Sequence, residues 1–203
     1  LLAKEATAWV DSSGVKADDQ VVVLGQGVVG SLMMQLLRGR QVKQIITVDT
    51  LPLRCQLSQQ LGADEVINAS EVDPVEIVKQ LTSGRGADLV IDCVGGYAGI
   101  KSFEQAQDMV ADKGTIQLIA LYQQQSLPLY SAKIMQKRLV AGILTEEPPM
   151  KTTLRAMESI EKGIIQVGKM ITHQFPYAEA KEAFDFLWYT PESGLGVLLD
   201  WEL

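Results

Sequence analysis

The chain has 203 residues, with 18 Lys and Arg against 25 Asp and Glu, a formal net charge of −7, and 47% hydrophobic side chains. That apolar share suits one domain of good size or one domain plus a piece of another, and the acidic balance argues against nucleic acid, whose phosphates need a basic face. No apolar run approaches the ~18 residues of a membrane span, no basic-then-apolar leader opens the chain, and the two cysteines, Cys55 and Cys93, form no C-x-x-C pair and read as reduced thiols.

In chain order, residues 1–13 place Leu2, Ala6, Trp9 and Val10 at helical spacing, with Gly14 as the stop. A buried strand is expected at 20–24. Gly25-Gln26-Gly27-Val28-Val29-Gly30 follows it and opens a helix striped by Val29, Leu32, Met33, Leu36 and Leu37. A second strand at 44–48 leads into Asp49, nineteen residues beyond Gly30. In this context glycines let the backbone turn sharply and approach a pyrophosphate, and the helix N-terminus offers unpaired N–H groups to the phosphates. The carboxylate of Asp49 stands where it can accept both hydroxyls of an adenosine ribose. The pattern therefore predicts dinucleotide binding.

Pro52 fits the first turn of the next helix, with Leu53, Leu57 and Leu61 as its stripe and Gly62 as its stop. A short strand at 65–67 precedes Asp73-Pro74, an N-cap and first-turn proline with Glu76 as capping partner. Further strands are expected at 89–91, 115–121 and 139–144, with a helix at 98–110. Strands alternating with helices imply an α/β fold with a doubly wound parallel sheet and a ligand crevice at the strands' C-terminal ends. After Thr145 come a helix striped by Leu154, Met157 and Ile160, a strand at 171–175, a helix at 177–188 and a last strand at 196–199. This tail could complete the sheet or belong to a second domain. Asp88 and Asp92 bracket one strand at about 13 Å, too far apart for one metal ion. Trp188, Tyr189 and Trp201 are expected to pack the tail against another domain.

By order and spacing the chain resembles the zinc-dependent medium-chain dehydrogenase/reductase family, in its alcohol, polyol and threonine dehydrogenase branch. The match rests on Gly14-Val15-Lys16, the glycine loop, Val48-Asp49 with Arg54, and Leu61-Gly62-Ala63-Asp64-Glu65-Val66-Ile67-Asn68. It continues through Gly86-Ala87-Asp88-Leu89-Val90-Ile91-Asp92, Lys113-Gly114-Thr115 and Ile171-Thr172-His173-Gln174-Phe175-Pro176. The resemblance implies a Rossmann cofactor domain with its connecting helix at 1–145. It also implies a tail at 146–203 that returns to an absent N-terminal catalytic domain carrying the zinc. The chain begins at Leu1 and reads as a processed product or a piece of such a protein.

The resemblance further gives Gly25, Gly27, Val28, Val29 and Gly30 to the pyrophosphate, Asp49 to the adenosine ribose and Arg54 to the adenine side. Cys93, Val94 and Leu121 would approach the far ribose and nicotinamide, with Ile143 and Thr145 near the carboxamide. The family's zinc needs Cys and His ligands, whereas this chain holds two cysteines and a single histidine, His173, which reads as structural. No catalytic or metal-binding residue is therefore expected in this chain. Asp49 would repel a 2′-phosphate, and no cation immediately follows it, so NAD is expected over NADP.

Three functional readings follow. The first is the cofactor part of an NAD-dependent dehydrogenase acting on a small alcohol, cytoplasmic and homo-oligomeric, with this chain inactive alone. The second is a non-catalytic NAD-binding or sensing module. The third is an assembly module pairing through the apolar segment 126–144; the same residues could instead simply cover the sheet.

Overall fold

Val21 and Val23 of the first strand point into one apolar core and Val22 and Leu24 into another. This period-two alternation into two cores is what a strand covered on both faces requires. The computed structural model describes residues 1–123 and 125–202. Helix α1 (Leu2–Ser13) ends at Gly14, whose φ of 71° is the left-handed stop expected there. Strand β1 (Gln20–Leu24), helix α2 (Val28–Gly39), strand β2 (Gln44–Asp49), helix α3 (Pro52–Gln60) and strand β3 (Glu65–Asn68) follow. Next come α4 (Pro74–Leu81), β4 (Ala87–Asp92), α5 (Ala98–Met109), β5 (Val110–Leu118), α6 (Ser131–Ile134) and β6 (Arg138–Ala141). The tail holds α7 (Pro149–Glu161), α8 (Val167–Met170), β7 (Ile171–Pro176), a 3₁₀ turn (Tyr177–Glu179), α9 (Ala180–Tyr189) and β8 (Gly196–Asp200).

The first six strands form one sheet in the order β3-β2-β1-β4-β5-β6, every pair parallel. Strand order reverses between β1 and β4, the switch point at which a doubly wound sheet opens a crevice. On one face α1 and α2 bury Ala6, Val10, Met33 and Leu37 against β1 and β4. On the other, Val78 of α4 and Phe103, Ala106 and Met109 of α5 pack on Val22, Ile46 and Val90. Pro52 and Pro74 sit in the first turns of α3 and α4, and the Asp73 side chain accepts the Val75 amide at 2.9 Å, as capping chemistry predicts.

Several boundaries differ from the sequence expectation, among them the strand at 89–91, which runs Ala87–Asp92, and the helix at 177–188, which is a 3₁₀ turn followed by α9. Strand β5 starts at Val110, directly after α5, and absorbs Lys113-Gly114 as a register shift between its pairings with Ala87 and Leu89. It stops at Leu118 because the Ile119 and Ala120 amides turn to the Asp92 carbonyl, at 3.0 and 3.2 Å. Strand β6 ends at Ala141, before Gly142, whose φ of 79° leaves the extended region. The tail does not extend the main sheet: β7 and β8 form their own two-stranded parallel sheet. Ile165, Met170 and Leu195 nonetheless join the core around α2, and the Gln35 side chain accepts the Gln166 amide at 2.7 Å. None of the described helices is long and apolar enough to cross a membrane.

The start of α2 lies hard against the bend after β1. A Cβ on Gly30 would stand 1.8 Å from the Gly25 carbonyl oxygen. Gly30→Ala is therefore expected to destabilise the chain by about 3 kcal/mol or more in urea unfolding. Gly168→Ala, whose new methyl meets open space, should stay within about 1 kcal/mol of wild type. Equal midpoints for the two variants would refute this account of the close approach.

Candidate functional site

Gly25 leaves β1 at a φ of 82°, and its amide bonds the Val48 carbonyl at 2.8 Å. The chain can then turn across the end of β2. There the Asp49 side chain is almost fully buried. Its Oδ2 accepts the Gln26 amide at 2.6 Å, and its Oδ1 accepts the amides of Thr50 and Leu51 at 2.7 and 2.9 Å. The spacing points Asp49 toward a ribose; the fold adds that most of the carboxylate's acceptor capacity is already taken, by one amide of the glycine bend and two of the turn after β2. An Arg54 guanidinium nitrogen lies 3.9 Å from Oδ2. Gln26 fills the variable place in the loop for a reason invisible in the motif. Its side chain turns inward, donates to the Val23 carbonyl at 3.1 Å and receives the Ser58 hydroxyl at 3.4 Å.

Two cavities open at this end of the sheet. One, of about 390 Å³, is lined by Gly25, Gly27, Asp49, Thr50, Arg54 and Val94, with Lys101 on its far wall. The other, of about 520 Å³, is lined by Trp9, Val29, Ile119, Ala120 and Leu121. Cys93 and Gly95 line both, so the two meet at the switch point. Helix α2 starts at Val28 after Gly27, its N-cap, with no side-chain cap. Its first amides, those of Val28, Val29 and Gly30, therefore have no partner within the helix. A Cβ on Gly25 would strike the Val94 side chain at 2.8 Å, so the narrow floor of the first cavity depends on glycine.

Most residues singled out from sequence gather here: Gly25, Gly27, Asp49, Arg54 and Val94 in the first cavity, Val29 and Leu121 in the second, and Val28 and Gly30 in the helix start between them. Ile143 does not. It follows β6, is 41% exposed and lines neither cavity. His173 lies in the tail sheet, its ring 4.2 Å from that of Phe186. Asp88 sits at the opposite end of β4 from Asp92, where it accepts the Gln20 amide at 2.9 Å and pairs with Arg85. The Arg85 hydrogen bond holds the Asp88 carboxyl below its usual range. Among the described residues, no group of three or more His, Cys, Asp and Glu stands together as metal ligands, so these side chains do not fit a zinc site.

Periodicity gave no hint of a buried network at the end of β4. Asp92 is fully buried. Its Oδ1 accepts the Ser102 hydroxyl at 2.7 Å and the Val94 amide at 3.1 Å, and its Oδ2 accepts the Tyr122 hydroxyl at 3.0 Å. The Gly96 amide bonds the Leu121 carbonyl at 3.0 Å. One carboxylate thus fixes both loops that border the second cavity. Burial pushes its carboxyl up to about 6, against the opposing pull of these three hydrogen bonds. The adjacent Cys93 thiol is also raised by burial, as is the Tyr122 phenol, which in addition faces the Asp92 charge.

The native Asp92 carboxyl holds its proton to higher pH than its ordinary value of 3.8. Its favourable contribution is complete below that value and is lost as pH rises through about 6. Asp92→Asn, neutral throughout, should therefore gain on wild type by about 2–3 kcal/mol between about pH 4.5 and about pH 7.5. Urea midpoints measured across that range check it; a constant difference would refute the assigned titration.

The model of the family described as zinc-binding dehydrogenase matches residues 28–160. The chain is 28% identical over 175 residues to L-threonine 3-dehydrogenase of Bacillus licheniformis, covering 86% of this chain and 50% of that protein. It is also 28% identical over 177 residues to sorbitol dehydrogenase of Halalkalibacterium halodurans, with the same two coverages. The chain thus spans about half the length of the curated relatives it matches. Two solved structures share the fold at a TM-score of 0.80 and 22% identity. One is an alcohol dehydrogenase from Escherichia coli CFT073 complexed with NADH, covering 98% of this chain and 58% of that one. The other is a putative zinc-binding dehydrogenase from Sinorhizobium meliloti 1021 bound to NADP, covering 98% and 57%. With a family model matched over more than half its length and a doubly wound sheet in the fold of these enzymes, the chain belongs to the zinc-binding dehydrogenase family.

Proposed function

We propose that this chain is the cofactor-binding part of an NAD-dependent dehydrogenase acting on a small alcohol or polyol. The observation that carries the reading is the buried Asp49 carboxylate bonded to the amide inside the glycine bend, at the mouth of a cavity that crosses the switch point. Gly25 and Gly27 give close backbone approach, and the free amides of Val28, Val29 and Gly30 hold the pyrophosphate. Asp49 keeps a remaining lone pair for the adenosine ribose, with Arg54 beside it. Val94 and Leu121 serve the far ribose and nicotinamide. When bound, that nicotinamide exchanges a hydride with the alcohol carbon.

Residues 1–145 form the cofactor domain with its connecting helix, and residues 146–203 form a tail that packs on a catalytic domain. The side chains here supply no zinc ligands, so the Lewis acid belongs to that other domain and this chain alone is without dehydrogenase activity. The protein is cytoplasmic and homo-oligomeric. Strand β6, the edge of the sheet with Leu139 46% exposed, supports pairing between copies.

A 2′-phosphate placed about 4 Å from the Asp49 carboxylate meets a repulsion of about 4 kcal/mol at an effective dielectric near 20. NADH should therefore bind at least about tenfold more tightly than NADPH in a fluorescence titration of the purified chain. Asp49→Ser should narrow that ratio, a comparison insensitive to any general loosening of the bend. Equal affinities would defeat the NAD preference, and binding of neither cofactor would defeat the whole reading.

A further inference from the structure

Asp92 presents a puzzle that the cofactor reading leaves open. Its ionised form costs folding stability, yet the fold keeps a carboxylate there with no compensating cation. Among the described residues it makes no ion pair. Leu24 of β1 and Leu118 of β5 flank it in the sheet. Helix α5 offers the Ser102 hydroxyl and the loop after β5 the Tyr122 phenol, with the Cys93 thiol next along the chain. Lys101, Asp49 and Arg54, the charged groups on the first cavity's wall, neither hydrogen-bond nor ion-pair with it. An uncompensated charge in so apolar a setting is poorly screened, and perturbed carboxyls of this kind gather at functional sites.

Its position decides what the field acts on. The Val94 amide is bonded directly to Oδ1, and Cys93 and Gly95, on either side of Val94, line both cavities. The Tyr122 hydroxyl bonds Oδ2 from the chain next to Leu121, which lines the second. The carboxylate thus lies beneath the junction where the far half of an extended dinucleotide would rest.

We propose, building on the nicotinamide reading above, that Asp92 is a specificity-determining residue for the redox state of the cofactor. Its buried negative charge favours the oxidised dinucleotide, whose nicotinamide ring is cationic, over the reduced one, whose ring is neutral. Ser102 and Tyr122 are positioning residues that hold the charge at the junction. Binding of the oxidised form then favours the ionised carboxylate and releases a proton wherever the free chain holds Asp92 protonated. The two redox forms share adenine, riboses and pyrophosphate, so other titrations affect both equally and cancel in the comparison.

The test is calorimetric titration of the 203-residue chain with NAD⁺ and with NADH at a series of pH values, each in two buffers of different ionisation enthalpy. Affinity for NAD⁺ should fall at least about threefold between about pH 7.5 and about pH 5.5, with proton release at the acid end, while NADH changes by less than half as much. Tyr122→Phe removes a donor that favours the ionised carboxylate, so the midpoint of the NAD⁺ profile should move to higher pH. Asp92→Asn should make the two profiles parallel. A merely structural Asp92 would weaken both cofactors together and leave no contrast between their profiles. Parallel wild-type profiles with equal proton release overturn the proposal without needing any variant to fold, and so does a contrast that persists in Asp92→Asn. Failure of both cofactors to bind at about pH 7.5 overturns the nicotinamide reading itself, whereas binding of both without contrast overturns only the role of Asp92.

Discussion

The bend between β1 and α2 is held by two opposed requirements. The Gly25 carbonyl occupies the space a side chain at residue 30 would need, so α2 sits as close to the sheet as backbone allows. That closeness brings the Gln26 amide within 2.6 Å of the Asp49 carboxylate. The carboxylate in turn holds the amides of Thr50 and Leu51, which open the turn into α3. The buried one of these donors, the Gln26 amide, would cost about 1–3 kcal/mol without an acceptor. One side chain therefore fixes two loops from neighbouring strands, and the cavity between them inherits its shape from that bond.

Asp49 and Asp92 end β2 and β4, on either side of β1. Each accepts three hydrogen bonds, yet their settings differ. Asp49 has a guanidinium 3.9 Å away and receives only backbone amides. Asp92 has two hydroxyl donors, one amide and no cation, and burial raises its carboxyl to about 6. Hydrogen bonds to hydroxyls offset desolvation less than a paired charge does. The two strand ends therefore present the crevice with one carboxylate beside a cation and one left alone, and this asymmetry distinguishes its two halves chemically.

The amino-acid sequence made local chemistry legible and long-range polar chemistry illegible. The glycine loop, the acid nineteen residues on, the first-turn prolines and the alternation of β and α each follow from neighbours within a turn or two. The parallel sheet follows from the alternation. What stayed hidden came from contacts far apart in the chain. Ser102 and Tyr122 reach Asp92 across 10 and 30 residues, and Gln26 meets Ser58 across 32. No periodicity encodes such pairs, since a polar residue bound for a buried network looks like any surface one. Strand β5 was misplaced at its start for a related reason. Lys113-Gly114 interrupt the run, but the β4–β5 pairing takes up the irregularity as a register shift and resumes at Thr115.

The tail illustrates the limit of strand patterns most plainly. Ile171–Pro176 and Gly196–Asp200 are identifiable as strands, but nothing local says which sheet they join. Two strands alone are marginal in water. Here Ile165, Met170 and Leu195 sink into the core that α1 and α2 share with β1 and β4, so the small sheet draws its stability from the larger one. Elsewhere in the tail apolar burial is smaller: Phe184, Trp188 and Tyr189 of α9 and Trp201 after β8 are 68–79% exposed. Side chains of this size lie open beside a sheet too small to stand alone. The core-facing half of the tail is thus fixed by the larger sheet, while its aromatic half is left uncovered by the described residues.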